Sequence, residues 1–146
     1  MTGTVFVDTN VLVYARDASE PEKQRQAAAW TTHLWEARRG RLSVQVLQEF
    51  YVIVTQKLSP GMTRDAARRD VRNLMAWRPV TIDPAILDRG WTAQDRYRLA
   101  FWDALIVAAA QVAGCRYLLT EDLQADQDFD GLTVVNPFLR EAGSLA

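Results

Sequence analysis

Hydrophobic residues follow two rhythms along this chain. Short unbroken runs, Val5-Phe6-Val7 and Tyr117-Leu118-Leu119, have the length of buried strands, and stripes at three- and four-residue spacing mark helices. The first run breaks into Asp8-Thr9-Asn10, after which Val11, Leu12, Tyr14 and Ala15 continue as a helix with Thr9 and Asn10 as N-cap residue types. Ser19 and Glu22 form a capping box around Pro21 and predict a helix over about residues 20–38, striped by Ala27, Trp30, Leu34 and Ala37 and stopped at Gly40. Residues 41–44 are long enough for a second strand, and Val46, Leu47, Phe50 and Val54 predict a helix over 45–57. Ser59-Pro60-Gly61 ends it, and Thr63 caps a further helix over about 64–77. Residues 78–82 read as a strand, and Asp83-Pro84 opens a helix reaching Tyr97. A very apolar helix begins at Phe101-Trp102-Asp103 and closes at Gly114, followed by a buried-type strand over 116–120. An acidic loop, a last strand over 132–135 and a short tail helix after Asn136-Pro137 complete the pattern.

Strands alternating with helices predict an α/β fold around a mainly parallel sheet. With 146 residues and no repeat, linker or low-complexity stretch, residues 1–146 read as a single domain, able to bury roughly two-thirds of its unfolded surface.

Composition narrows the function. No apolar run approaches the ~20 residues of a membrane span, and no signal-like segment precedes the first strand, so no membrane association and a cytoplasmic location are expected. Cys115 is the sole cysteine, which excludes an internal disulfide and a cysteine zinc cluster. The net charge of −1 gives no global nucleic-acid footprint, although Arg64, Arg68, Arg69 and Arg72 share the outer side of one helix, as a solvated or an RNA-contacting face.

Four acids stand against their local pattern. Asp8 and Asp122 each follow a short apolar strand, so parallel neighbours would bring both to one edge of the sheet, where open α/β sheets place ligand sites. Glu49 sits among Val46, Phe50 and Ile53, and Asp103 among Leu99, Ala100, Ile106 and Val107, each on the apolar stripe of a helix. A buried, unpaired carboxylate costs several kcal/mol. Any one of them pairs or caps easily; four together repel, and a divalent cation relieves the repulsion. Oxygen ligands without Cys or His suit Mg²⁺ or Mn²⁺, and Mg²⁺ bound through a few carboxylates points to phosphodiester chemistry by activated water. Thr9, Asn10 and Thr120 are placed to support such a site or position phosphate, and Asp126 is a further acid within reach as an outer ligand.

The segments Val7-Asp8-Thr9-Asn10-Val11-Leu12, Gln48-Glu49-Phe50-Tyr51, residues 97–110 around Phe101-Trp102-Asp103-Ala104, and Leu118-Leu119-Thr120-Glu121-Asp122-Leu123 come in the order of a known family, as does the closing Val134-Val135-Asn136-Pro137. In them the chain resembles a PIN domain, and within that superfamily the VapC-type toxins of bacterial toxin–antitoxin pairs. The resemblance implies a three-layer α/β/α fold and a Mg²⁺- or Mn²⁺-dependent endoribonuclease whose acidic quartet falls on Asp8, Glu49, Asp103 and Asp122. It also implies a homodimer, a cognate antitoxin that fills the active site, and a structured RNA substrate such as tRNA or ribosomal RNA, cut to leave a 5′-phosphate and a 3′-hydroxyl. The competing reading is a PIN-like module that binds RNA or protein without cutting. A receiver-type phosphate switch would need a lysine after a strand, and neither Lys23 nor Lys57 occupies one.

Overall fold

The computed structural model describes residues 3–145. Its first strand, β1 (Val5–Val7), is wholly buried, which is why three consecutive apolar residues are needed rather than an alternating pattern. Helix α1 (Thr9–Tyr14) follows directly, then α2 (Pro21–Ala37), β2 (Gly40–Arg41), α3 (Val44–Gln56) and α4 (Arg64–Leu74). The second half runs α5 (Pro84–Tyr97), α6 (Phe101–Val112), β3 (Tyr117–Leu119), β4 (Asp128–Phe129) and β5 (Leu132–Val135). The five strands lie in the order β2-β1-β3-β5-β4, parallel except for β4. The predicted α/β architecture with a mainly parallel sheet is therefore the observed one.

The chain leaves β1 toward β2 on one side and returns to β3 on the other. The sheet thus reverses its winding between β1 and β3, the place where parallel strands open a crevice at their carboxyl ends. Register fixes what faces that crevice: Val7 pairs with Leu119, and the amide of Asp8 donates to the Leu119 carbonyl at 3.0 Å. The next residues on each strand, Asp8 and Thr120, therefore emerge side by side.

The helices that complete the crevice are anchored by ordinary chemistry. Ser43 caps α3 through its hydroxyl, which accepts from the Val46 amide at 3.3 Å. Val46, Leu47, Phe50 and Val54 enter the main core, beside Phe6, Trp30, Leu34 and Leu118. Along α6 every residue from Ala104 to Ala110 is buried, and the alanines allow close approach of its neighbours. Helix α5 rides on α6, with Gly90 leaving room for the Leu105 side chain.

Several local expectations give way. Asp8, not Thr9 or Asn10, caps α1, because its side chain accepts from the Thr9 amide. Ser19 donates its hydroxyl to Asp17 at 2.6 Å instead of closing a capping box, and Glu20 stands at the α2 cap without a side-chain bond. Helix α2 ends near Arg38 as expected, but Arg38 itself (φ 57°), not Gly40, takes the left-handed stop. Residues 78–82 make a single bridge, Ser43 to Val80, rather than a strand. The acidic loop instead contains β4, which folds back on β5 through Asp130 and Gly131 at positive φ, a two-residue hairpin turn. The tail after Pro137 forms turns and no helix.

Gly40 is pinned under the Trp77 indole, and a Cβ there would come well inside van der Waals contact with its ring carbons. Gly40→Ala should therefore lower stability by about 1–3 kcal/mol, the usual cost of overpacking. Urea unfolding followed by tryptophan fluorescence measures it, and an unchanged midpoint would show that the indole yields.

Candidate active site

The crevice at the end of β1 and β3 is a cleft of about 430 Å³. Asp8 comes from the tip of β1, Glu49 from α3, Asp103 from the first turn of α6 and Asp122 from the loop after β3; all four line this one cleft. Trp102 forms part of the rim.

Asp8 is 6% exposed and densely bonded. Its Oδ1 accepts from the Thr9 amide at 2.7 Å, and its Oδ2 accepts from the Thr120 hydroxyl at 2.9 Å. Asn10 ties the two strand ends together. Its Nδ2 approaches Asp8 Oδ2 at 3.3 Å, Thr120 Oγ1 at 3.1 Å and Asp122 Oδ2 at 3.1 Å, three acceptors sharing two hydrogens. Thr120, fully buried, also accepts from the Asp122 amide at 3.1 Å and so sets the turn that carries Asp122.

Glu49 is held at both oxygens. Thr9 Oγ1 donates to Oε2 at 2.8 Å, and Gln45 Nε2, one turn earlier on α3, donates to Oε1 at 2.9 Å. Asp103 is half-buried at the start of α6, whose cap residue Ala100 offers no side-chain bond. An acid in the first turn suits the positive end of the helix dipole.

The electrostatics are unbalanced. Asp17 and Glu121 add two more carboxyl groups to the cleft lining. Lys23 is nearby, but its Nζ bonds Glu121 at 2.9 Å while lying over the rings of Tyr14 and Phe138. Among the described residues no ion pair involves Asp8, Glu49, Asp103 or Asp122. Burial pushes the Asp8 carboxyl up to about 7; the bonds from Thr120 and the Thr9 amide oppose this, and the charges of Asp122 and Glu49 reinforce it. Asp103 is also raised, first by burial and then by Asp122 and Glu49.

The arrangement fits a hard cation bound by oxygens. Among the described residues no three Asp, Glu, His or Cys side chains are already gathered as a finished metal cage. Neutral donors (Thr9, Asn10, Gln45 and Thr120) hold the carboxylates in place instead. The buried Gln45 Oε1 has no donor partner. An unpartnered amide oxygen beside mutually repelling carboxylates is what an oxygen-preferring cation, or water held by one, would satisfy.

The predicted residues Asp8, Thr9, Asn10, Glu49, Asp103, Thr120 and Asp122 are therefore brought together. Asp126 is not. It adopts a left-handed backbone (φ 67°), its amide bonds the Val134 carbonyl at 2.9 Å, and it lies outside the cleft lining. Sequence reasoning misses Gln45, although its place four residues before Glu49 on the same helix is a signal. It misses Lys23 because the partner, Glu121, lies 98 residues away.

The chain belongs to the PIN domain family, whose model matches residues 5–129. Its fold is similar to that of several solved proteins. A toxin–antitoxin complex from Klebsiella pneumoniae superposes with a TM-score of 0.64 at 22% identity, covering 92% of this chain and 98% of that one. FitAB bound to a DNA fragment gives 0.67 at 20% identity over 96% and 99%. Mycobacterium tuberculosis VapC20, described as a Sarcin-Ricin loop cleaving toxin, gives 0.59 at 18% identity over 79% and 87%. Comparison with curated proteins gives no match.

The raised Asp8 fixes the sign of a pH effect. Its carboxyl is protonated in both states below about pH 4; above that the native state alone keeps the proton, so stability falls as pH rises and the loss is complete past about 7. In chelator-treated protein this loss should be on the order of 4 kcal/mol between pH 4 and 8. Asp8→Asn should flatten that slope in urea unfolding at pH 5, 6, 7 and 8, and an equal slope in the variant would refute the assignment.

Proposed function

We propose that this PIN-domain protein is a Mg²⁺- or Mn²⁺-dependent endoribonuclease acting as the toxin of a toxin–antitoxin pair. The observation that carries the proposal is the convergence of Asp8, Glu49, Asp103 and Asp122 from four separate elements on one cleft, with no cation paired to them among the described residues. The similarity in fold to proteins described as toxin–antitoxin complexes and as an RNA-cleaving toxin supports it.

In this reading Asp8, Asp103 and Asp122 hold the metal, and Glu49 completes the set. When bound, the metal supplies a lowered pKa for water and positive charge against the scissile phosphate. Thr120, Asn10 and the Thr9 amide fix the Asp8 carboxylate, while Thr9 Oγ1 and Gln45 fix both oxygens of Glu49. Such bonds orient ligands that would otherwise repel one another. Water attacks phosphorus and the 3′-oxygen departs, which leaves a 3′-hydroxyl and a 5′-phosphate without use of the ribose 2′-hydroxyl. A structured RNA such as tRNA or ribosomal RNA is the proposed substrate. A cognate antitoxin and a homodimer are the proposed partners.

Asp8→Asn and Asp103→Asn should each lower RNA cleavage by more than ~100-fold in Mg²⁺, and Thr120→Ala by the ~10–100-fold typical of an orienting partner. Mapping of 5′-phosphate ends on total RNA, with and without EDTA, reads the result. Cleavage that persists in chelator, or full activity in Asp8→Asn, overturns the metal mechanism. RNA binding without any cleavage would instead establish the non-cleaving module.

A further inference from the structure

Beside edge strand β2 lies a second cleft of different chemistry, about 400 Å³ in volume and lined by Trp35, Arg38, Arg41, Ala76, Trp77 and Arg78. Trp77 is buried against Gly40, whereas Trp35, packed on it with ring centroids 6.3 Å apart, remains 47% exposed. Arg38 and Arg78 stand at its edge, each ending a helical segment in the left-handed conformation (φ 57° and 54°). Such a backbone is uncommon outside glycine and asparagine. Arg41 spends one nitrogen on the Gly40 carbonyl at 2.7 Å. Among the described residues none of these three arginines forms an ion pair.

The stretch of chain that supplies these arginines shares this bias. Residues 36–78 contain nine of the seventeen basic residues and four of the eighteen acidic ones, a net charge of +5, against −6 for the rest of the chain. The near-neutral total therefore conceals a basic stretch within an otherwise acidic chain. A half-exposed indole ringed by guanidiniums without acid partners offers a flat stacking surface within reach of phosphate donors. This is the chemistry of sequence-tolerant single-strand binding.

We propose that the Trp35–Arg38–Arg41–Arg78 cleft binds an unpaired stretch of RNA, stacking a base on Trp35 and holding its phosphates with the arginines. The proposal extends the RNA reading above and rests on it. The cleft flanks β2 through Arg38 and Arg41, whereas the acidic cleft opens at the carboxyl end of the neighbouring β1. The basic cleft would supply affinity that the acidic cleft, repelling phosphate, lacks.

The test is fluorescence anisotropy of a fluorescein-labelled single-stranded RNA dodecamer in EDTA, so that nothing is cut, with the full chain at several salt concentrations. Trp35→Ala should weaken binding about tenfold, and Trp35→Phe, which keeps a ring, far less. The triple variant Arg38→Gln, Arg41→Gln, Arg78→Gln should lower the slope of log affinity against log salt by about 2, at ~0.7 for each phosphate no longer neutralised. Circular dichroism and unfolding midpoints identify any variant that has lost its fold. Wild-type binding too weak to measure, or unchanged binding in the folded variants, overturns the proposal. Competition by an oligoglutamate peptide as effective as by unlabelled RNA overturns it in favour of an acidic protein partner. Variants that lose binding in a protein that never cuts RNA leave this cleft standing and remove the nuclease reading; cleavage by a protein whose variants bind unchanged does the reverse.

Discussion

A buried carboxylate without a countercharge is the constraint around which the rest is arranged. Asp8 must emerge at the tip of β1, in a place where burial and two neighbouring acids both disfavour its charge. The molecule responds with neutral donors rather than cations. Thr120, Asn10 and a backbone amide occupy its oxygens, and the same Asn10 reaches Asp122. Replacing Thr120 or Asn10 by lysine or arginine would neutralise the cluster, but it would also fill the space in which the proposed cation would sit. The unfavourable electrostatics of the acidic cleft and its proposed chemistry are two aspects of one arrangement.

Parallel pairing of β1 with β3 makes the convergence possible, and much of it can be read in the chain. Both strands are too short and too apolar to be anything but buried, and each is followed at once by polar residues. Glu49 and Asp103 are legible for the opposite reason, as charges on stripes that should have none. What escapes is decided by contacts distant in sequence. Residues 78–82 look extended because Pro79 and β-branched neighbours favour it, yet a single bridge to Ser43 is all the pairing they find. Strand β4 contains Asp128 and follows an acidic stretch, so local preference opposes a strand; pairing with β5 supplies it.

Helix ends mislead for a physical reason as well. A glycine near a helix end usually marks the stop, but Gly40 is required elsewhere, beneath the Trp77 ring. Arg38 takes the left-handed position instead, where a cation favours the carboxyl end of the helix dipole. Asp126 shows the limit of proximity in sequence: four residues beyond Asp122, it has already turned away to bond the Val134 carbonyl.

The Asn10 amide spans 112 residues to reach Asp122, and Thr9 spans 40 to reach Glu49. No fragment shorter than residues 8–122 contains the whole cleft, and its last component belongs to the loop after β3. On the ribosome, Asp8 and Glu49 are made well before Asp122, so the cleft is complete in sequence only late in synthesis.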